Sequence, residues 1–356
     1  MRQLICLSSM PWMAVPTRTQ QLLTRLRDVQ ILFFEPSGPG YQRPGRRVRP
    51  GLTVYTLPPI PDVEERHPRL FRLGQRRLVK YIRALLERHR FREPVLWCDT
   101  PQAVHLLDEL PCRGIVYDCC RDWSELPIRW ESDLALAADV IFAASPELID
   151  HLSPCNDNIA LLPNGVSYPM FTRPGLECPP ELCGWTGPML GYVGTIHRDL
   201  ELSPALSCAL ALPEAQLVFV GQAERGARLS ALEELPNVTF LGPRLPVEIP
   251  DYLGRFDVCL NLLRQDAGYQ VIPRRMYEYL SSGKPIVSML YPDQVEHFPD
   301  VVYSAHTPEE FARLCRRALA ERGDWVRARR REYGAAAAWS ERAGDVMQIL
   351  SSIGLY

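Results

Sequence analysis

The sequence predicts an α/β protein made of two doubly wound, Rossmann-like domains facing across a cleft. Three observations carry this. Short apolar runs alternate with helix-period patterns through most of the chain, as expected for helices layered on parallel sheets. The alternation breaks once, over 163–188, where PNGVSYPMFTRPGLECPPELCGWTGP is dense in Pro and Gly and keeps no period. The length of 356 residues also exceeds what a single hydrophobic core usually serves.

In the first half the apolar runs predict strands over 4–8, 31–34, 53–57, 95–98, 115–118, 140–143 and 159–162. Helical patterns sit between them over 19–27, 70–90, 101–109, 131–137 and 146–151. After the break, strands are predicted over 189–193, 216–220, 238–241, 258–261 and 285–288, with a further one over 301–304. The helices of this half fall over 203–211, 227–234, 248–254, 274–281 and 308–321, and the tail from 325 to 353 is helical again. No repeat is evident. The expected domains are therefore 1–165 and 188–324, joined by a linker over 166–187, with 325–356 crossing back to the first domain.

Composition narrows the function classes. A hydrophobic content of 46% with mixed charge describes a folded chain. No run approaches the ~20 apolar residues of a membrane span; the longest, 134–144, is interrupted by Asp139. The run at 1–7 has no small-residue cleavage site, so no secretory signal is expected. Eleven cysteines without a CxxC pair point to reduced, buried thiols in a cytoplasmic protein. Neither the cysteines nor the seven scattered histidines form a metal-ligand spacing, and no metal site is expected.

The net charge of −2 conceals an asymmetry. Residues 1–92 hold 18 Lys and Arg against 6 Asp and Glu, and the rest of the chain is acidic. Arg69, Arg72, Arg76, Lys80, Arg83 and Arg90 form one helical stripe, opposite Leu78, Ile82, Leu85 and Leu86. The stripe is either a solvated face or a peripheral contact with an anionic membrane. Nucleic acid is not the expected partner, because no aromatic-interleaved or recognition-helix pattern accompanies the charge.

The chemistry-bearing residues cluster at predicted strand ends. GYVGT ends the first strand of the second domain, and its Gly194 and Thr195 would bring backbone N–H groups close to a phosphate. Arg198 follows in the same loop. FVG at Gly221 and FLGPR at Gly242 to Arg244 repeat the device, which suggests one crevice at the carboxyl ends of the strands. PRRMYEYLSSGKPIVS, over 273–288, places Arg274, Arg275 and Glu278 on the first turns of a helix. A helix start with guanidiniums suits a phosphate, and a carboxylate one turn further in suits a ribose diol.

These motifs resemble the nucleotide-binding domain of GT-B glycosyltransferases, especially the large retaining family 4. The matching elements are GYVGT, FVG, NVTFLGPR, FDVCLNLL and RRMYEYLSSGKPIV. The first half, with Trp12 and PTRTQQLLTRL, VLWCDTP, IVYDCCRDW, AADVIFAASPELIDHL and LPNGV, is similar to a bacterial polysaccharide subgroup that includes teichuronic-acid-type transferases. The resemblance implies a metal-independent enzyme without a cofactor. It would move a sugar from a nucleotide diphosphate, UDP or GDP, to a glycan or lipid-linked acceptor. The setting would be surface-polysaccharide assembly, in the cytoplasm or at the inner face of the membrane.

By the same resemblance Glu278 holds the ribose, while Arg275, Arg198 and Arg244 face the diphosphate or base. Gln270 stands where many members carry a second glutamate. Asp118 and Asp122 take the catalytic or orienting place at a strand end, and Arg18 approaches the diphosphate from the loop after the first strand. A sugar-nucleotide epimerase of the same fold and a catalytically silent scaffold are the competing readings.

Overall fold

The computed structural model describes residues 2–13, 15–37, 45–59, 68–198, 200–262, 271–289 and 297–356. The chain divides into two compact units, one of residues 1–163 with 340–356, the other of residues 164–339.

Among the described residues the first unit is built on eight strands: β1 (Arg2–Leu7), β2 (Val29–Glu35), β3 (Arg46–Arg49), β4 (Leu52–Thr56), β5 (Val95–Cys98), β6 (Gly114–Cys119), β7 (Val140–Ala143) and β8 (Ile159–Leu161). Their order is β3-β4-β2-β1-β5-β6-β7-β8, parallel throughout except for the antiparallel edge strand β3. The strands β1, β2, β5, β6 and β7 are buried on both faces, which explains why they read as unbroken apolar runs. The order reverses between β1 and β5, so a crevice is expected outside the carboxyl ends of those two strands.

Among the described residues the second unit carries six parallel strands: β9 (Met189–Val193), β10 (Gln216–Val220), β11 (Val238–Gly242), β12 (Val258–Asn261), β13 (Ile286–Met289) and β14 (Val302–Ala305). Their order is β11-β10-β9-β12-β13-β14, with the reversal at β9. Alternate residues of β9 feed two cores. Leu190 and Tyr192 face the layer made by the Ser203–Ala211 and Pro308–Leu319 helices, while Met189 and Val193 face the layer with Ile249–Arg255 and Arg274–Ser282.

Three features depart from the sequence reading. β3 was not expected, because its RRVR carries no apolar alternation; it holds by pairing with β4 alone. The 166–187 stretch is not a bare linker. It contains a helical turn, Tyr168–Phe171, and a 3₁₀ turn, Pro180–Leu182, whose Phe171 and Leu182 are buried in the core of the second unit. The tail is two helices, Asp324–Ala336 and Trp339–Ser352, and the return to the first unit begins at Ser340, not at 325. The break between them is held by Val166, whose N–H donates to Ala337 O while its carbonyl accepts from Trp339 N–H, both at 2.9 Å.

Gly191, in the middle of the switch-point strand, has no room for a side chain: a Cβ there would enter the fully buried ring of Phe256. Gly191→Ala should cost about 1–3 kcal/mol by overpacking. Urea denaturation would measure the loss, and Phe256→Leu in the same chain should recover part of it. A Gly191→Ala chain as stable as the parent would contradict this packing.

Candidate functional site

In the second unit the site forms where β9, β10 and β12 end. Pro273 precedes the Arg274–Ser282 helix and provides no side-chain cap, and the first turn carries no acidic residue. The helix start is thus electropositive, from the helix dipole and its two arginines. At the other end Gly283, with φ of 77°, ends the helix in the left-handed conformation and lets the chain turn into β13.

Arg275 is fixed in place. Its Nε donates to Asn261 Oδ1 at 3.1 Å and its Nη2 to Leu262 O at 2.6 Å. Its guanidinium also lies over the Tyr192 ring, 5.1 Å from the centroid. The supporting residues are fixed in turn. Asn261 Nδ2 donates to Ser288 Oγ, Tyr192 Oη donates to Thr195 O, and Tyr279 Oη accepts the Val193 N–H. Arg275 Nη1 comes within 3.5 Å of where a Cβ of Gly194 would stand.

Glu278 lies one turn further along the same helix, mostly buried. Burial pushes its carboxyl above the ordinary range, and the Arg274 and Arg275 guanidiniums pull it back. Its Oε1 is 3.4 Å from Arg274 Nε. The helix therefore presents two cations and one carboxylate at the carboxyl edge of the sheet, as the sequence suggested.

The strand-end glycines serve the backbone more than a ligand. Gly194 N–H donates to Val220 O and Gly221 N–H to Gly242 O, each at 2.9 Å. Both glycines have positive φ, 140° and 156°, and a Cβ on Gly221 would run into the Gly194 carbonyl. Their role is the close approach of β9 and β10, and the Gly194 amide is not open to a phosphate. Thr195 is exposed beside them.

Two predicted arginines stand differently. Arg198 is exposed, its N–H donating to Glu224 Oε2, while His197 Nδ1 meets Glu224 Oε1 at 2.8 Å. Arg244 is occupied by its own unit, bonded to Tyr252 Oη, Leu241 O and Glu181 Oε1, each at 2.6 Å. Gln270 lies outside the described residues.

In the first unit Asp118 and Arg18 meet. Arg18 Nε donates to Asp118 Oδ1 at 2.9 Å and its Nη2 to Leu162 O at 2.6 Å. Asp118 is fully buried and Arg18 is 8% exposed. Burial raises the Asp118 carboxyl, opposed by Arg18. The pair thus joins β6, β8 and the helix Arg18–Leu23 from within, and presents neither an open carboxylate nor an open guanidinium. Asp122 is separate in its bonding, accepting the Ser124 N–H at 2.8 Å in a local turn.

Sequence reasoning missed Asn261, Tyr192 and Tyr279, which hold Arg275 and the strand ends. They sit inside runs read as core, and only the final residue of an apolar strand being Asn gave any signal. It also missed Asp99, a buried carboxylate that accepts from Ser8 Oγ, Thr19 Oγ1 and Ser9 N–H.

Comparison with known proteins supports the resemblance. A family model described as glycosyl transferase-like matches residues 203–348. The chain is 27% identical over 238 residues to TuaH of Bacillus subtilis (strain 168), described as a teichuronic acid biosynthesis glycosyltransferase. That match spans 59% of this chain and 59% of the relative's length. The sucrose-phosphate synthase of Thermosynechococcus elongatus superposes with a TM-score of 0.77 at 16% identity, over 99% of both chains. Anabaena HepE, solved in complex with UDP, gives 0.73 at 16% identity over 99% of this chain and 100% of its own. A trehalose-6-phosphate protein of E. coli, bound with UDP-2-fluoro glucose, gives 0.72 at 13% over 98% and 99%. The fold is that of GT-B glycosyltransferases.

Asp118→Asn would leave Arg18 charged and buried without its counter-ion, at a cost of about 3–5 kcal/mol. Thermal and urea denaturation should show this as a large loss of stability. A fully stable Asn variant would mean that the pair does not carry the strand ends.

Proposed function

We propose that the chain is a glycosyltransferase that takes its sugar from a nucleotide diphosphate held by the second unit. The observation that carries the reading is the anchored Arg275, locked over Tyr192 at the switch point, one turn before the buried Glu278. A diphosphate is a dianion and needs a cation that does not have to be ordered on binding; Arg275 is such a cation. The ribose diol offers two O–H donors one helical turn away from that charge, and an ionised carboxylate accepts both. The glycosyl transferase-like match over 203–348 and the UDP complexes of HepE and the trehalose-6-phosphate protein support UDP as the nucleotide.

In this reading Arg275 balances the charge that grows on the leaving diphosphate as the bond from the anomeric carbon to the phosphate oxygen breaks. The acceptor hydroxyl forms the new bond, and its proton passes to a departing phosphate oxygen on the same face, so configuration is retained. Proton NMR of the first-formed product tests this; an inverted anomer would exclude it. Asp118 acts through Arg18 as a positioning residue, since both are enclosed. The TuaH likeness supports a glycan or lipid-linked acceptor in surface-polysaccharide assembly.

The Pro68–Arg88 helix supports a peripheral membrane contact. Leu78, Ile82, Leu85 and Leu86 are buried beneath it, while Arg69, Arg72, Arg76, Arg77 and Lys80 are exposed with Leu70 and Leu73 at 53% and 64%. Of the stripe's remaining members, Arg83 donates to Glu109 O and Arg90 lies beyond the helix end. Among the described residues no helix is long and apolar enough to cross a membrane.

Glu278→Ala should weaken UDP-glucose binding by about 1–3 kcal/mol, read by calorimetric titration. Because Glu278 is raised by burial, protonation sets in above the ordinary carboxylate range, and affinity should fall as pH drops through that raised value. Glu278→Gln should flatten the profile. A folded Ala variant with undiminished affinity would remove Glu278 from the site. For the helix, co-sedimentation with phosphatidylglycerol vesicles should be lost in Leu70→Ser/Leu73→Ser and in high salt; equal binding to neutral vesicles would sink the membrane reading.

A further inference from the structure

The sequence predicts buried cysteines throughout, and nine of the eleven are buried or half-buried. Cys178 and Cys183 are exposed. They flank the 3₁₀ turn Pro180–Leu182 of the second unit, and the turn folds them toward each other. The Cys183 thiol donates to Pro179 O at 3.2 Å and to Cys178 O at 3.3 Å. The Cys178 thiol donates to the same Pro179 O at 3.6 Å, so the two sulfurs share one carbonyl oxygen. The neighbouring Cys178 pushes the Cys183 thiol up, ahead of desolvation and of Glu181, while Arg255 opposes them.

The turn between the two thiols is held by groups other than the sulfurs. Leu182 is buried in the core of the second unit. Glu181 Oε1 accepts from Arg244 Nη2 at 2.6 Å and from Tyr252 Oη at 3.2 Å. Upstream, Arg173 Nη2 and the Glu177 N–H donate to the two oxygens of Asp251, at 2.7 and 3.1 Å. Downstream, Arg255 Nη2 donates to Trp185 O at 3.0 Å. Residues 173–185 thus form a strap across the Ile249–Arg255 helix, which supplies Asp251, Tyr252 and Arg255. That helix shares an apolar core with the Arg274–Ser282 helix through Tyr252, Leu253, Met276 and Tyr277. Because the strap is anchored at these points, the two thiols are kept together while still reduced, which favours a reaction between them over one with a second molecule.

We infer that Cys178 and Cys183 form a thiol–disulfide exchange site, which reacts with a small-molecule disulfide and closes the turn that holds Glu181 against Arg244 and Tyr252. Two carbonyl oxygens beside Cys183 favour its protonated form, so Cys178 ionises first. The Cys178 thiolate attacks one sulfur of the disulfide RSSR and expels RS⁻, which takes up a proton as RSH. Cys183 then gives up its proton, and its sulfur displaces the second RS⁻ from the mixed disulfide on Cys178. Two protein thiols are oxidised, one RSSR is reduced to two RSH, and no other reagent is consumed. The inference is independent of the transferase reading, since it invokes neither nucleotide nor sugar.

The test incubates the reduced full chain with glutathione disulfide, quenches with acid and maps the products by peptide mass. The parent should lose two hydrogens across Cys178 and Cys183, roughly 10-fold faster than any other cysteine reacts. Cys183→Ser should stop at a mixed disulfide, with one glutathione on Cys178. Cys178→Ser should take up glutathione roughly 10-fold more slowly than Cys183→Ser does. Both positions are exposed, so both variants should melt with the reduced parent. The oxidised parent should melt about 4–8 °C higher, as expected for closing so short a loop, and dithiothreitol should reverse the rise. Glutathione disulfide should not raise the melting temperature of Cys183→Ser.

A parent chain that stops at the mixed disulfide, joins to a second chain through Cys178, or reacts first at another cysteine would overturn the assignment. So would an oxidised parent that melts no higher than the reduced one, or a Cys178→Ser chain as reactive as Cys183→Ser.

Discussion

Each unit depends on one guanidinium that reaches across to a carbonyl just past the end of a strand. In the first, Arg18 joins Leu162 O to Asp118; in the second, Arg275 joins Leu262 O to Asn261. A carbonyl just past the end of a parallel strand has left the ladder and needs a donor from elsewhere. A planar, permanently charged donor set satisfies it and fixes the loop that begins there. The two cases differ in what balances the charge. Arg18 has a buried carboxylate and is neutralised within the fold. Arg275, among the described residues, is bonded to a neutral amide and a carbonyl and lies over an aromatic face, with the Glu278 carboxyl one turn away.

That difference explains why the two arginines, which look alike in sequence, play different parts. A buried ion pair gives little net stability, but losing one partner is costly, so Arg18–Asp118 behaves as a fixed joint. A cation held by neutral groups keeps its attraction for an anion and needs no reordering to use it. The glycines follow the same logic. Gly194 and Gly221 spend their N–H groups on Val220 O and Gly242 O, which draws β9, β10 and β11 together and leaves anion recognition to side chains and to the start of the Arg274–Ser282 helix.

Much of the fold was legible because parallel strands buried on both faces leave unbroken apolar runs. VLWC and VIFA were located to the residue. β3 was illegible because a charged edge strand is specified by its partner and not by its own pattern. The 166–187 stretch was misread for a similar reason: Pro and Gly signal turns, but cannot say whether a single Phe171 or Leu182 reaches a core. The placement of Arg275 and Glu278 on the first turns of one helix was legible from the sequence. The pairing of Arg18 with Asp118 was not, since it joins positions 100 residues apart that only the sheet order brings together.

The placement of carboxylates extends this reasoning. Glu278 lies beside Arg274 and Arg275, whose guanidiniums oppose the effect of its burial. Asp99 has no cation among its bonded partners, only hydroxyls and an amide, and burial raises its carboxyl while those hydrogen bonds draw it down. Burial thus acts against the charge of both carboxylates, and what opposes it differs: guanidiniums at Glu278, hydroxyls and an amide at Asp99.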